Sequence, residues 1–363
     1  MNHKTAILPQ QYKTASEQEL RNRIAEKRQL LGKRLIILTH HYQRLEIVEV
    51  GDYAGDSYQL AKIAARSPDA EYIAFCGVHF MAEAANILGR PDQKVYLPNP
   101  TAGCPMADMA PSEQVYEAWD QINESLGKGS VVPISYMNSS AELKAFTGKN
   151  GGLICTSSNA DAAFRWAYRR FERVFFFPDQ HLGRYTAKKF GVPSEQIVLF
   201  NPRKPLGGLS LETLKNSRVI LWMGHCHVHA KFQPDQIDEW RAKEPNIKIV
   251  VHPECDEAVV NKADAVGSTS FIVNFVESAP SGSTIAIGTE LNLIHRLAVK
   301  NPDKKIFELS GNSCAICSNM FRTSLADLCF TLENFDIANR IIVPDDIKHD
   351  AKLALDRMLE IGN

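Results

Sequence analysis

Three stretches of this chain carry a cysteine just past a short apolar run and a glycine. Residues 219–229 (VILWMGHCHVH) hold Cys226 after Gly224. Residues 95–97 (VYL) lead through Asn99, Pro100 and Gly103 to Cys104, and residues 306–309 (IFEL) lead through Gly311 to Cys314 and Cys317. An apolar run that ends in a glycine turn reads as a buried strand of a parallel sheet. The loop beyond such a strand is where open α/β folds place their chemistry. Three thiolates from three equivalent loops make a soft-metal site, with an iron–sulfur cluster as the leading candidate. A cubane held by Cys104, Cys226 and Cys317 leaves one iron without a protein ligand, available as a Lewis acid. Cys314 forms a CxxC with Cys317 and admits three readings: fourth ligand, redox dithiol or bystander. Cys76 and Cys329 sit in apolar surroundings and read as core, while Cys155 and Cys255 stand nearer the proposed site as weaker ligand candidates. The HCHVH run lacks the distant second doublet that a zinc site uses.

Two further sets of residues recur with the cysteines. His40 and Tyr42, Tyr136 and Asn138, and His252 and Glu254 each follow an apolar strand, and His, Tyr and Glu in a dry pocket can move protons. Glu254 is the most telling, because a carboxylate so close to a buried strand needs partners. Ser57, Ser157, Ser268 and Thr269 stand where helices begin. A helix N-terminus offers unpaired N–H groups and partial positive charge, and a hydroxyl there adds a donor for carboxylate or phosphate. Ordinary N-capping is the plain alternative for each phrase alone.

These residues need a repeated frame. From Arg34 the chain runs three times through one order: strand, hydroxyl phrase, strand, helix, cysteine strand. The opening strands are 35–43 (LIILTHHYQ), 131–138 (VVPISYMN) and 249–255 (IVVHPEC). The second strands are 72–76, 174–177 and 284–287, followed by helices over 78–88, 181–190 and 291–300. Tyr42 to Cys104 spans 62 residues, His252 to Cys317 spans 65, and Tyr136 to Cys226 spans 90. The excess falls on 191–217, a Pro- and Gly-rich insertion. The fold expected is α/β, built of three similar three-layer α/β/α units with short parallel sheets. Converging strand ends would set the units in a pseudo-threefold arrangement around a central 4Fe–4S cluster. The alternative is a row of three domains whose cysteines never meet. The boundaries read are 1–33 for an N-terminal helical segment, 34–111, 112–228 and 229–317 for the units, and 318–363 for C-terminal helices packing back on the first unit. Ser16 caps the first helix, with Glu19 completing a capping box and Gly32 stopping it.

Composition narrows the partners. Lys plus Arg (41) nearly balance Asp plus Glu (42) over 363 residues, which disfavours nucleic acid or an anionic membrane surface. No apolar run has the length of a membrane span, and the N-terminus lacks an apolar signal core. A reducing cytoplasmic location is expected. There, eight cysteines point to metal binding or catalysis more than to disulfides.

The phrases HHYQ, GDS, CGVHFMAE, GCPMAD, SYMNSSAELKA, CTSSNA, FPDQHLGRY, HPEC, VGST and SCAICSNM, in that order, closely resemble the quinolinate synthase family. The resemblance covers nearly everything from Leu35 to Cys317. It implies three α/β domains around a 4Fe–4S cluster, each giving one ligand: Cys104, Cys226 and Cys317. It implies a transferase that condenses iminoaspartate with dihydroxyacetone phosphate to quinolinate, phosphate and water in de novo NAD biosynthesis, with the open iron assisting dehydration. The implied catalytic residues are Tyr42, His252 and Glu254. The implied substrate contacts are His40, Ser57, Tyr136, Asn138, Ser157, Ser268 and Thr269. Transient contact with an L-aspartate oxidase is the partner it implies. Some relatives carry CxxCxxC near the end; here Gly311 stands in place of the first cysteine, which disfavours a closed redox triplet. Two other functions use the same cysteines: a cluster-dependent hydro-lyase on a hydroxy-acid, and a non-enzymatic four-cysteine electron carrier or sensor.

Overall fold

A computed structural model describes residues 8–311 and 314–362. Among the described residues the strands form three sheets, and each repeats one strand order. In the first, β1 (Leu35–His40) lies between β2 (Tyr53–Gly55) and β3 (Tyr72–Cys76), and β4 (Lys94–Tyr96) follows β3. In the second, β5 (Val131–Tyr136) lies between β6 (Leu153–Cys155) and β7 (Arg173–Phe177), then β9 (Val219–Trp222), with β8 (Ile197–Phe200) at the edge. In the third, β10 (Lys248–Val251) lies between β11 (Ala265–Val266) and β12 (Thr284–Gly288), then β13 (Lys305–Glu308). All these pairs are parallel; only β14 (Arg340–Ile341) adds to β4 antiparallel. Parallel strands are buried on both faces and so read as continuous apolar runs. Accordingly, β9 and the last four residues of β7 are fully buried.

The described residues fall into two units. One lies within Met1–Cys104, Leu291–Arg296 and Ile316–Pro344 and holds the first sheet. The other lies within Pro105–Glu290, Leu297–Ala315 and Asp345–Asn363 and holds the second and third sheets. The first unit's core joins Ile37 and Ala74 of the sheet to Leu20 and Ile24 of helix Glu17–Leu31 and to Leu328 and Leu332 of helix Leu325–Glu333. Both helices start as their sequences dictate. Ser16 accepts a hydrogen bond from the Glu19 N–H at 3.2 Å, and Ser324 makes a capping box with Asp327. Glu333 then accepts from Tyr12 (2.6 Å) and from the Arg23 guanidinium (2.9 Å to Oε1), tying the last residue of the second helix to the middle of the first.

One expectation needs correction. Both C-terminal helices were expected on the first unit. Helix Leu325–Glu333 packs there, but helix Asp345–Ile361 packs in the second unit, on helix Ala141–Lys149 and β6. The physical reason is a small-residue approach. A Cβ on Gly148 would stand 1.9 Å from the Asp350 carbonyl oxygen. Arg357 caps the contact by donating to the Gly148 and Gly152 carbonyls (3.3 and 2.6 Å). The insertion 191–217 contributes β8 to the second sheet. Its return is a tight turn with Leu206 and Gly207 at φ 47° and 66°, where a Cβ on Gly207 would meet the Phe200 ring at 2.4 Å. Phe200 stacks on Trp222 of β9, which is why this edge is a strand and not a loose loop. The short strands β2, β6 and β11 were also not foreseen; two or three residues leave no readable pattern.

Candidate active site

In the second unit, buried polar side chains meet at the C-terminal ends of β5, β10 and β12. Glu254, 3% exposed, accepts a 2.5 Å hydrogen bond from the Tyr136 hydroxyl on Oε1. Its Oε2 lies 2.8 Å from His229 Nδ1, and His229 Nε2 lies 3.1 Å from the Thr289 hydroxyl. The His252 ring stacks on the His229 ring, centroids 4.5 Å apart and 17° from parallel. His252 Nδ1 accepts the Glu254 backbone N–H at 3.3 Å, so its proton belongs on Nε2, which lies 3.2 Å from Ser157 Oγ. Local backbone geometry explains part of this. Pro253 keeps His252 extended, and the chain then turns back so that the Cys255 N–H reaches the His252 carbonyl.

A second buried carboxylate lies close by. Asp179 is wholly buried and caps helix Gln180–Lys189, its Oδ1 accepting the Leu182 N–H at 2.7 Å. Burial pushes its pKa well above the usual carboxylate range, and the Glu254 charge pushes the same way. Burial also raises Glu254, but His252, His229 and Tyr136 outweigh it and hold that carboxylate below its usual range. The two buried carboxylates are thus pushed in opposite directions, Asp179 towards its protonated form and Glu254 towards its ionised form. The loop after β9 that carries His229 also carries Cys226. Gly224 bridges to Asp179, and a Cβ there would stand 2.3 Å from the Pro178 carbonyl, so only glycine lets the cysteine loop pass. The possible ligand atoms of Cys226, His229 and Glu254 lie within 4.8 Å of one another. Because both His229 nitrogens already face Glu254 and Thr289, this trio is a hydrogen-bonded network beside a thiol more than a ready metal cage. Burial lowers the pKa of His181 and His227, which keeps both neutral at pH 7.

Other expected residues of the second unit stand at strand or helix ends. Asn138, half-buried, follows β5. Its loop is held by Lys144, a fully buried lysine that donates to the Met137 carbonyl at 3.0 Å and to the Ser139 carbonyl. Ser268 caps helix Thr269–Ser278 by accepting the Phe271 N–H at 3.3 Å. Thr269, 3% exposed, has a hydroxyl with no hydrogen-bond partner among the described residues.

In the first unit, His40 ends β1 and is buried, with Tyr42 half-buried beside it. The Tyr42 N–H donates to His40 Nδ1 at 3.1 Å, and the rings meet edge to face at 4.9 Å. Gln43 donates to the Met320 carbonyl at 2.9 Å, and Arg296 reaches His41 Nδ1 at 3.0 Å. Ser57 is the first residue of helix Ser57–Ala65, but the cap is Asp56, which accepts the Gln59 N–H at 2.9 Å. Cys104 and Cys317 are half-buried. Their loops are tied by Asn99 donating to the Arg322 carbonyl (3.3 Å) and Arg322 donating to Thr101 (3.0 Å). Cys314, in the second unit, is exposed at φ 42°.

His229, Thr289, Asp179 and Lys144 were absent from the sequence reading. His229 stood in the HCHVH run but was weighed only as a zinc ligand. Asp179 stood in FPDQ, where a cap is the ordinary reading. Thr289 follows β12 as the other candidates follow their strands, a signal that was available. Nothing in the sequence marks Lys144 as buried.

Parallel sheets with a buried Tyr–Glu–His proton network and a cysteine at the strand ends define an α/β enzyme acting on small molecules. The family model described as "Quinolinate synthetase A protein" matches residues 22–360. The chain belongs to that family. A quinolinate synthase of Herpetosiphon aurantiacus is 51% identical over 357 residues, covering 97% of this chain and 95% of the relative. Those of Corynebacterium glutamicum and Geobacillus kaustophilus are 48% and 46% identical, covering 98% of this chain and 91% and 97% of the relatives. Among the described residues, no helix is long and apolar enough to cross a membrane.

Proposed function

We propose that this chain condenses iminoaspartate with dihydroxyacetone phosphate to quinolinate, releasing phosphate and water, in NAD biosynthesis. The observation that carries the reading is the ionised, buried Glu254 held between Tyr136 and His229 beside Cys226. Closing a pyridine ring requires protons to leave carbons next to carbonyl or imine groups and to reach departing oxygens. Glu254 is the base for that work, with Tyr136 able to pass a proton to it directly. His252, its Nε2 proton shared with Ser157, is the donor on the same side. In the first unit, Tyr42, edge-on to His40, is the second acid–base candidate. Asn138, Ser57, Ser157, Ser268 and Thr269 are proposed to bind the carboxylates and phosphate. The unpartnered, buried Thr269 hydroxyl at the start of a ten-residue helix supports that assignment.

The reading includes a 4Fe–4S cluster with Cys104, Cys226 and Cys317 as its ligands. The donor set fits. These thiols are half-buried, one beyond each of β4, β9 and β13, whereas Cys76, Cys155 and Cys255 are buried with thiol pKa values raised by that burial. Burial likewise pushes Cys329 up to about 12. When bound, such a cluster supplies one iron without a protein ligand, a Lewis acid for a departing hydroxyl. The imine is the oxidation product of aspartate, so transient contact with an L-aspartate oxidase and a cytoplasmic location belong to the same reading. The test is anaerobic purification followed by incubation with both substrates. Quinolinate should form only when both are present; none from iron-loaded protein would overturn the reading.

A further inference from the structure

Glu254 is useful as a base only if one oxygen points steadily at its proton donor. A carboxylate on a two-torsion stem rotates unless its second oxygen is also held. Here the second oxygen meets His229 Nδ1 at 2.8 Å. An ionised carboxylate can only accept, so His229 carries its proton on Nδ1. When the ring carries that one proton, Nε2 is its acceptor, and the Thr289 hydroxyl stands 3.1 Å away to donate. The hydroxyl therefore selects the tautomer that Glu254 needs. His229 itself cannot swing: it is 1% exposed, and His252 stacks on its face. Its backbone begins the short helical turn His229–Lys231, whose Lys231 side chain is anchored to the Cys314 carbonyl at 2.9 Å.

We propose that His229 is a positioning residue for Glu254, and that Thr289 sets the His229 tautomer, so that Thr289, His229, Glu254 and Tyr136 form one aligned chain. The role is orientation of the base, and His229 exchanges nothing with substrate. This rests on the reading of Glu254 as the catalytic base.

The test compares His229→Leu, His229→Asn, Thr289→Val, Thr289→Ser and Glu254→Gln as anaerobic, cluster-loaded enzymes. Readouts are kcat, KM for each substrate, the Kd for the product quinolinate by calorimetry, and melting temperature. Leu removes the donor, whereas Asn can place an N–H where Nδ1–H stood. His229→Leu should lower kcat about 100-fold, the scale of a misplaced catalytic group, with KM and the quinolinate Kd within about threefold. His229→Asn should recover most of that loss. Thr289→Val should fall between them, and Thr289→Ser should match wild type. If His229→Leu does not fold, the Asn variant and the Thr289 pair carry the comparison. Losses that follow melting temperature, with Asn no better than Leu and Val no worse than Ser, would overturn the proposal. If only Glu254→Gln is impaired, the base stands and the positioning role falls. If Glu254→Gln turns over normally, the reading of Glu254 is what fails.

Discussion

At the scale of single residues, charge inside the protein follows from the partners each group finds. Glu254 has two imidazoles and a phenol; Asp179 has backbone N–H groups and a like charge nearby. A carboxyl whose folded pKa is raised binds its proton more tightly in the native state. That contribution is fully present below the unfolded pKa and is lost as pH rises through the folded one. Asp179→Asn keeps an acceptor for the Leu182 N–H and has no proton to lose. Its stability relative to wild type should therefore grow from pH 5 to pH 8, by up to about 1.4 kcal/mol per pH unit in the window. Paired urea titrations at the two pH values measure this; a difference independent of pH would show that Asp179 is ionised when folded. Lys144 makes the opposite case. Its ammonium satisfies two loop carbonyls, so Lys144→Met should cost about 2 kcal/mol or more by leaving buried acceptors unpaired. It should also weaken substrate binding through Asn138. Urea unfolding and KM together check it, and unchanged values in both would refute the role.

At the scale of elements, close approach decides what packs where. Helix Asp345–Ile361 lies on helix Ala141–Lys149 because Gly148 has no side chain to hold it off. Gly148→Ala would drive a methyl against a backbone carbonyl that has no rotamer to escape into. The expected cost is about 3 kcal/mol, at the upper end for overpacking. Thermal unfolding should show it, and limited proteolysis should release the C-terminal helix first. A near-wild-type melting temperature would mean that the helix contact is looser than its geometry. Much at this scale was legible beforehand. The opening, second and cysteine strands fell where apolar runs met glycine or polar clusters, and the Ser16 cap sat where a hydroxyl residue precedes an apolar-periodic segment. The strands β2, β6 and β11 were not legible, because their pairing to β1, β5 and β10 comes from neighbours and not from their own two or three residues.

At the scale of the whole molecule, the proposed cluster has three cysteine ligands, one from each repeat of the sequence. Single replacements of Cys104, Cys226 or Cys317 by Ser should each abolish it, whereas Cys314→Ser should retain it. Iron and sulfide content and visible absorption of anaerobically prepared variants decide this. Loss in Cys314→Ser with retention in Cys317→Ser would reverse the assignment within that pair. The partition of the cysteines supports the expectation: the candidate ligands are half-buried, Cys314 is exposed at a left-handed φ, and the four others are buried.

The sequence by itself determined the parallel α/β character, the three-fold recurrence of strand order, most helix starts and the candidate residues at strand ends. Those follow from periodicity, caps and turn residues, which act over a few positions. Tertiary structure alone decided which candidates share a network. Tyr136, His229, Glu254 and Thr289 are spread over more than 150 positions, and only the crossing of two parallel sheets' ends within one unit brings their atoms to hydrogen-bond distance. It also decided which of two nearby carboxylates is pushed towards its protonated form, since burial and facing charges are properties of the packed state. The place of the last helix was settled the same way, by a glycine whose missing side chain matters only once another backbone lies against it.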